Sequence, residues 1–257
     1  MEINKGIAMS DYEKSVMSSM PLAGVFLSGA KFKRVIAKQI PIGNNDIYTC
    51  PAGKKALIMS QQSTTKFFNT SVGNIGVTVN IKISGVYRQW AGLSTIGAGA
   101  GIVSNHLSML LLAGESFSLI TITNNGLNVF LPVIEFDESS PISRGLILDP
   151  AIGANTLYTC PVGKSACALF QSFNMNTSQL VGYNNSATPT NFIMHFVPLG
   201  DVIGVEHQSG AVATIGANSL FLAQINPHLE AGDFIDFNSS AAPVGLTMMA
   251  IMAEKTV

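Results

Sequence analysis

The sequence predicts an all-β protein made of two tandem antiparallel β-sandwich domains, jelly-roll-like, behind an N-terminal arm. One seven-residue phrase occurs twice, at residues 48–54 and 158–164. Short apolar runs alternate with Gly, Pro and Asn turns along both halves of the chain, as in β-sandwiches. Residues 77–84 alternate apolar and polar side chains throughout, which is the period of a strand with one buried face. The expected divisions are an arm at 1–40, a sandwich at 41–137, a linker at 138–147 and a sandwich at 148–257.

The repeated phrase reads YTCPAGK in the first copy and YTCPVGK in the second, with Asn45 and Asn155 three residues upstream. Such self-similarity indicates two diverged copies of one structural unit. Proline suits the second position of a type I turn and glycine the fourth, so each phrase predicts a hairpin with a tight reversal. Two further matches extend the repeat. They are TIGA at 95–98 and 214–217, and a small residue, Gly and an acid at 113–115 and 231–233.

Strands that close the two sandwiches are expected at 129–136 and 244–253.

The first 40 residues have no counterpart in the second half of the chain. Within them, Ser10 or Asp11 could cap a short helix over residues 9–20. A basic cluster follows, formed by Lys31, Lys33, Arg34 and Lys38. Two interpretations stay open: a solvated arm, or an interaction arm whose basic part meets an acidic surface of a neighbouring subunit.

Composition limits the classes of partner. Hydrophobic residues make up 47% of the chain and charged residues 11%, with a net charge of −1. An average domain has roughly 25% charged residues, so this surface must be rich in hydroxyl and amide groups or covered by other subunits. The near-neutral charge argues against nucleic-acid binding, and no apolar run is long enough to span a membrane. Three cysteines and no signal-peptide pattern predict synthesis in a reducing cytoplasm.

Residue types that carry catalysis or bind metals form no recognisable pattern, so the sequence predicts no enzyme activity, no metal site and no cofactor. The histidines lack the spacing of metal ligands; they are His106, His195, His207 and His228. His195 alternates with apolar neighbours and is expected on the solvent face of its strand. Cys50 and Cys160 occupy equivalent repeat positions and are interpreted as small buried residues. Glu115 and Asp233 also match each other, which predicts a shared role in a turn.

One aromatic cluster, formed by Tyr87, Arg88 and Trp90, is the candidate for a surface contact. Exposed aromatic side chains beside polar loops would suit a sugar-binding module, and the alternative is a position in the core or an interface. Tyr183, which two asparagines follow, is a weaker candidate of the same kind.

These landmarks resemble a β-sandwich unit of tailed-bacteriophage structural proteins. The resemblance rests on the phrase Y-T-x-P-x-G-K, a loop rich in Asn-x-Ser, an alternating strand and a late Ala-Gly-acid turn. In this chain they are residues 48–54, 69–71, 77–83 and 113–115, and then 158–164, 176–178, 192–197 and 231–233. The resemblance covers residues 45–257 and implies no catalytic residues.

The resemblance implies a structural protein of the virion. The leading hypothesis is a capsid decoration, or cement, protein that stabilises the head through protein–protein contacts. A tail, neck or fibre-base component is the alternative within this class, and a carbohydrate-binding host-attachment module lies outside it. The expected partners are further copies of the chain and capsid or other virion proteins. Because two fused sandwiches imitate two subunits, three chains would form a pseudo-sixfold ring, so a homotrimer is favoured.

Overall fold

The computed structural model describes residues 3–5, 30–58, 65–104, 109–168, 178–197, 199, 213–225 and 228–257. The chain divides into two compact units: unit 1 comprises residues 1–88 and 93–140, and unit 2 comprises residues 141–257 with the short stretch 89–92. Both units are built from antiparallel sheets, and the described residues contain no helix, so the all-β fold class is confirmed. No membrane-spanning helix is found within those residues.

Unit 1 contains a seven-stranded and a four-stranded sheet, and residues 89–92 in the last strand of the smaller sheet are assigned to unit 2. Its strands are β1 (Ile3–Lys5), β2 (Lys31–Ile40), β3 (Gly43–Thr49), β4 (Lys54–Ile58), β5 (Thr65–Asn69), β6 (Ile75–Ile83), β7 (Val86–Ile96), β8 (Gly101–Ser104), β9 (Met109–Leu112), β10 (Ser116–Ile122) and β11 (Leu127–Asp137). The larger sheet has the order β1-β2-β11-β4-β9, and β5 joins it by pairing with β11 and β8. The smaller sheet has the order β3-β10-β6-β7.

Unit 2 contains a six-stranded and a four-stranded sheet. Its strands are β12 (Ile142–Leu148), β13 (Gly153–Thr159), β14 (Lys164–Ala168), β15 (Ser178–Asn184), β16 (Thr190–Val197), β17 (Ala213–Ile215), β18 (Ser219–Ile225), β19 (His228–Leu229), β20 (Phe234–Ser239) and β21 (Leu246–Thr256). The larger sheet has the order β18-β15-β21-β14-β19, with β12 also pairing with β21. The smaller sheet has the order β13-β20-β16-β17.

The two units share one nested scheme of strand pairing, in which early strands pair with late ones. In unit 1, β2 pairs with β11, β3 with β10, β4 with β9, β5 with β8 and β6 with β7. In unit 2, β12 pairs with β21, β13 with β20, β14 with β19, β15 with β18 and β16 with β17. Each strand from β2 to β11 therefore has a counterpart with the same partners between β12 and β21, apart from the additional pairing of β2 with β1.

The repeated phrase does not form the hairpin that its sequence predicts. β3 pairs with β10, whereas β4 pairs with β9 and β11, so the turn carries the chain from one sheet to the other. The backbone N–H of Lys54 donates to the carbonyl of Pro51 at 3.2 Å, and Gly53 adopts a φ of 69°. The turn therefore begins at Pro51, one residue later than predicted. Glycine occupies its third position, where a positive φ is required.

The basic cluster that was predicted in an N-terminal arm lies instead in β2, inside the larger sheet of unit 1. Val35 and Ala37 of this strand are buried and alternate with more exposed neighbours, which suits a strand at a sheet surface. Residues 9–20, where a helix was considered, lie outside the described residues. The units separate after Ser140, within the expected linker 138–147, but β12 already begins at Ile142.

The core of each unit follows from the alternation along its strands. In β6, the side chains of Val77, Val79 and Ile81 are buried, as their period of two predicts. The opposite face of β6 is also largely covered, because Asn80 is 2% exposed. In unit 2, one apolar cluster draws on both sheets, for example Phe237 of β20 and Met248 of β21.

Candidate functional site

A tyrosine and a glutamate join the two sheets inside each unit. Tyr48 of β3 donates its hydroxyl hydrogen to Glu135 of β11 at 2.7 Å, and Tyr158 of β13 donates to Glu254 of β21 at 2.9 Å. Both hydrogen bonds are buried. Burial, together with the adjacent carboxylate, raises the pKa of both phenols, so each hydroxyl remains a donor at neutral pH.

Each of these glutamates also forms an ion pair with a lysine. Lys33 Nζ lies 2.6 Å from a carboxylate oxygen of Glu135, and Lys164 pairs with Glu254. Burial acts to raise the pKa of Glu254, but the hydrogen bonds from Lys164 and Tyr158 outweigh it and lower this pKa below 4.5. The stabilisation from this carboxylate is therefore present above pH 4.5 and is lost as the pH falls through the lowered pKa. Both glutamates thus serve to hold the sheets together.

Removal of the Tyr158 hydroxyl tests this role. We expect Tyr158→Phe to lower the free energy of unfolding by about 1.5–3 kcal/mol, because a hydrogen bond to a charged group is lost inside the unit. Urea unfolding of the full chain, followed by circular dichroism, measures the change. In a Glu254→Gln background the same substitution should cost clearly less, since the acceptor no longer carries charge. Equal costs in the two backgrounds would contradict the role of the charged hydrogen bond.

Two fully buried asparagines hold loops together at equivalent positions, Asn69 at the end of β5 and Asn184 at the end of β15. The side-chain amide of Asn69 donates to three backbone carbonyls at 2.7–3.0 Å. The amide of Asn184 donates to three carbonyls at 3.0–3.4 Å. The acceptors are the carbonyls of Gly73, Ile96 and Gly97 in unit 1, and of Thr188, Ile215 and Gly216 in unit 2.

This equivalence corrects the sequence match between residues 69–71 and 176–178. Asn69 lies opposite Leu127 of β11, and Asn184 lies opposite Leu246 of β21, which are matching positions of the two closing strands. Residues 176 and 177 lie outside the described residues. An Asn-x-Ser pattern starts at Asn69, at Asn176 and at Asn184. The pattern alone does not reveal that Asn184, and not Asn176, is the equivalent of the buried Asn69.

The two acidic residues of the Ala-Gly-acid turns have the shared structural role that the repeat predicts. A carboxylate oxygen of Glu115 accepts the backbone N–H of Leu112 at 2.8 Å. A carboxylate oxygen of Asp233 accepts the backbone N–H of Glu230, also at 2.8 Å. Each side chain closes its own turn by satisfying a backbone donor three residues upstream. The prediction for this pair is confirmed.

The two units differ at one row of side chains across the smaller sheet. In unit 2, His195 of β16 lies opposite Asp236 of β20, and in unit 1 the same places hold Asn80 and Ser118. His195 is 6% exposed and Asp236 is fully buried, so the expectation that His195 faces solvent is wrong. His195 Nδ1 lies 3.6 Å from an Asp236 oxygen, beyond hydrogen-bond distance. Among the described residues, neither carboxylate oxygen of Asp236 has a hydrogen-bond partner.

Burial raises the pKa of Asp236 above its ordinary value of 3.8, although the neighbouring imidazole acts in the opposite direction. The neutral carboxyl is therefore the form that folding favours. Its contribution to stability is fully present below pH 3.8 and is lost as the pH rises through the raised pKa. Above its raised pKa the ionised carboxylate consequently weakens unit 2.

Substitution of this carboxylate should stabilise the protein at neutral pH. We expect Asp236→Asn to raise the free energy of unfolding by about 1–3 kcal/mol at pH 7.5, because a carboxylate whose charged form is penalised by burial is removed. The gain should shrink as the pH is lowered toward the pKa of the wild-type carboxyl. Thermal unfolding of both proteins over a pH series measures this, with His195→Asn as the control for titration of the imidazole. A less stable Asp236→Asn protein at pH 7.5 would mean that the carboxylate is needed in its charged form.

The structure distributes the basic cluster over both faces of β2. Lys33 and the buried Val35 share one face, while Arg34 and Lys38 belong to the other, because successive strand residues point to opposite sides. Lys33 is engaged by Glu135 inside unit 1. The guanidinium of Arg34 lies 4.9 Å from the centre of the Phe130 ring, within cation–π range. Lys31 and Lys38 are exposed.

The aromatic cluster occupies β7, and its members have different surroundings. Trp90 is fully buried. Its side chain therefore fits the alternative of a position in the core or an interface, and it offers no exposed surface to a sugar. Tyr87 is partly exposed, and the Lys82 ammonium lies 4.9 Å from the centre of its ring. Arg88 is partly exposed. Tyr183, the weaker candidate, is 3% exposed.

The thiols of Cys50 and Cys160 are buried, as small apolar residues at strand ends would be. Each sulfur lies 3.2–3.3 Å from the carbonyl of the lysine that ends its turn. Burial raises the pKa of the Cys160 thiol. In the part of the chain that the structure describes, no group of three or more His, Cys, Asp or Glu side chains could hold a metal ion. His228 is exposed, and His106 and His207 lie outside that part.

Comparisons with known proteins give no assignment. No family model matches the chain, and no curated protein matches it in sequence. Among solved structures, a conserved protein of unknown function from Pseudomonas aeruginosa PAO1 is 8% identical with a TM-score of 0.25, over 89% of this chain and 84% of that chain. The CBM22-1–CBM22-2 tandem domain of Paenibacillus barcinonensis Xyn10C is 5% identical with a TM-score of 0.23, over 88% and 87%. The PBSX exported protein XepA is 10% identical with a TM-score of 0.23, over 86% of both chains.

Proposed function

We propose that this chain is a non-enzymatic structural protein of a phage virion, a capsid decoration protein in the first instance, and that its two units act through protein–protein contacts. A tail, neck or fibre-base component is the alternative. The observation that carries the proposal is the duplicated framework. The equivalent polar residues of the two units, namely the tyrosine–glutamate pairs, the buried asparagines and the turn acids, all hold strands or loops in place.

Each unit is a two-sheet, jelly-roll-like sandwich in this proposal. The nested pairing of early strands with late strands supports this topology, because a jelly roll is a long hairpin folded over in this way. The Tyr48–Glu135 and Tyr158–Glu254 hydrogen bonds also support it, since each joins a strand of the smaller sheet to a strand of the larger one. The mixed apolar cluster of unit 2 is the core that such packing needs.

A duplicated sandwich suits a protein that repeats on a lattice. Three chains present six similar units, so a homotrimer matches positions of threefold and sixfold symmetry on a shell. Many weak contacts then add up over the particle, and each can be modest in affinity. The low fraction of charged residues, 11%, fits a surface that is covered by neighbours in the assembled particle. The resemblance of the repeated phrase to phage structural proteins is the reason to place this assembly in a virion.

The copy number of the chain in purified particles tests the proposal. Particles of the phage that encodes the chain are purified, and the chain is quantified by mass spectrometry against the major shell protein. Copies in proportion to shell subunits are expected for a decoration protein, and particles of a deletion strain should lose stability on heating. A few copies per particle would favour the neck, tail tip or fibre base. Absence from the particles would overturn the virion role.

A further inference from the structure

The loops at one end of each unit are almost free of charge. In unit 1 they are residues 41–42, 70–74, 97–100 and 123–126, which include no Asp, Glu, Lys, Arg or His. In unit 2 they are residues 149–152, 185–189, 216–218 and 240–245, where Asp149 is the one ionisable residue. An oxygen of Asp149 accepts the backbone N–H of Gly245 at 2.6 Å, so this carboxylate is used inside the unit. We call these two surfaces the loop ends.

Both loop ends present aliphatic side chains to solvent. Ile42 is 55% exposed and Ile152, its equivalent after β12, is 70% exposed. Val72 in unit 1 and Val244 in unit 2 are exposed still further. Depletion of charged side chains is typical of the core of a protein–protein interface.

The loop ends are held in one conformation by hydrogen bonds between loops. In unit 1, the N–H of Ile42 donates to the side chain of Asn125 at 2.9 Å, and the side chain of Asn124 donates to the carbonyl of Asn74 at 2.8 Å. In unit 2, the N–H of Asn185 donates to the carbonyl of Gly245 at 3.2 Å. A surface that is already ordered loses little conformational entropy when it binds.

The opposite end of each unit differs from the loop end in charge. In unit 1 it bears the ion pair of Lys54 with Asp137, and in unit 2 the ion pair of Lys164 with Glu254. Exposed aliphatic residues lie at this opposite end as well, among them Leu199 and Val162. Val162 is in the turn before β14 and is 93% exposed. It therefore provides a matched control for the loop-end isoleucines.

Resting on the proposed function as a self-associating structural protein, we propose that the loop ends are the surfaces through which one copy of this chain binds a second copy. The charge distribution favours this occupant. A surface without charges can meet its like without repulsion, whereas a charged partner would bury unpaired charges against it. The exposed amides of Asn44 and Asn125 are both donors and acceptors, so they too can pair with their own kind. The described loops themselves contain no lysine or arginine, which a site for anionic lipids would require.

Sedimentation velocity of the full chain over a concentration series tests the proposal. Wild-type protein should self-associate, and the double variant Ile42→Asp with Ile152→Asp should associate at least about a hundredfold more weakly, because like charges then face each other. Ile42→Lys with Ile152→Lys should fail in the same way. A mixture of the acidic and basic double variants should regain association, since opposite charges now meet. Val162→Asp should behave as wild type.

Several outcomes would overturn the proposal. The first is a wild-type chain that stays monomeric. The second is a Val162→Asp variant that loses association while the double variants keep it. The third is double variants that lose binding to phosphatidylcholine vesicles while their self-association is unchanged. Circular dichroism of each variant checks that it is folded, and recovery in the mixture cannot come from misfolded protein. The particle measurement remains separate: a chain that is abundant in virions but associates normally in both double variants would retain the proposed function and lose this inference.

Discussion

Asn69→Asp is expected to lower the free energy of unfolding by about 3–5 kcal/mol, the range for a buried charge left without compensation. The wild-type amide donates to three backbone carbonyls, and a carboxylate in the same place has no hydrogen to donate. Three carbonyl oxygens would then face a negative charge in a fully buried position. Asn184→Asp should have the same consequence in unit 2, where the same arrangement recurs.

Urea unfolding, together with amide hydrogen exchange of the strands in each unit, measures these losses. Asn44→Asp is the matched control, because it introduces the same charge at an exposed position of the same unit. We expect the control to change stability by less than about 0.5 kcal/mol. The loss in Asn69→Asp should diminish at low pH, where the buried carboxyl takes up a proton. Similar costs for Asn44→Asp and Asn69→Asp would show that the buried amide does not hold the loops.

Gly145→Ala should destabilise unit 2 by about 3 kcal/mol or more, at the upper end of the cost of overpacking. A Cβ atom on Gly145 would lie 2.3 Å from the carbonyl oxygen of Leu157 and 2.9 Å from Cβ of Tyr158. The nearest obstacle is backbone of β13, which cannot rotate away as a flexible side chain could. The equivalent position of unit 1 is Val35, so the close approach of these two strands is particular to unit 2.

Gly97→Ala is the control for this substitution. Its added Cβ would meet its nearest neighbour at 3.8 Å, which is an ordinary van der Waals contact. We expect Gly145→Ala to lower the unfolding midpoint strongly and to speed amide hydrogen exchange in β12 and β13. Gly97→Ala should leave hydrogen exchange in both strands unaffected. Stability equal to wild type in Gly145→Ala would require that β12 and β13 separate without cost.

Local patterns in the chain predicted the parts of this structure that depend on neighbouring residues. The alternation of Val77, Val79 and Ile81 predicted a strand with one face in the core, although the face expected to be wet is covered at Asn80. The repeated phrase predicted a turn between two strands. Both are present, as are the closing strands β11 and β21. The same phrase misled in one respect, since β3 and β4 neighbour each other in sequence and were expected to pair. Their partners β10 and β9 come from more than fifty residues further along the chain.

The candidate residues followed the same division. The repeat marked Glu115 and Asp233 as equivalent turn residues, because each acts on a backbone group three positions away. It gave no sign that Glu135 would receive the hydroxyl of Tyr48, which is 87 residues distant. His195 was expected to face solvent because strand alternation assigns a residue to a face but does not say what covers that face. The burial of Trp90 was likewise invisible in the sequence around it.

The amino-acid sequence alone determined that the chain is all-β and duplicated, and located its main turns to within about a residue, because strand period and turn chemistry act over a few residues. Only the tertiary structure decided which strands pair, which asparagines are buried, and that the uncharged loops of each unit meet at one end. Those properties depend on contacts between residues far apart in the chain, and a pattern of neighbours carries no record of such contacts.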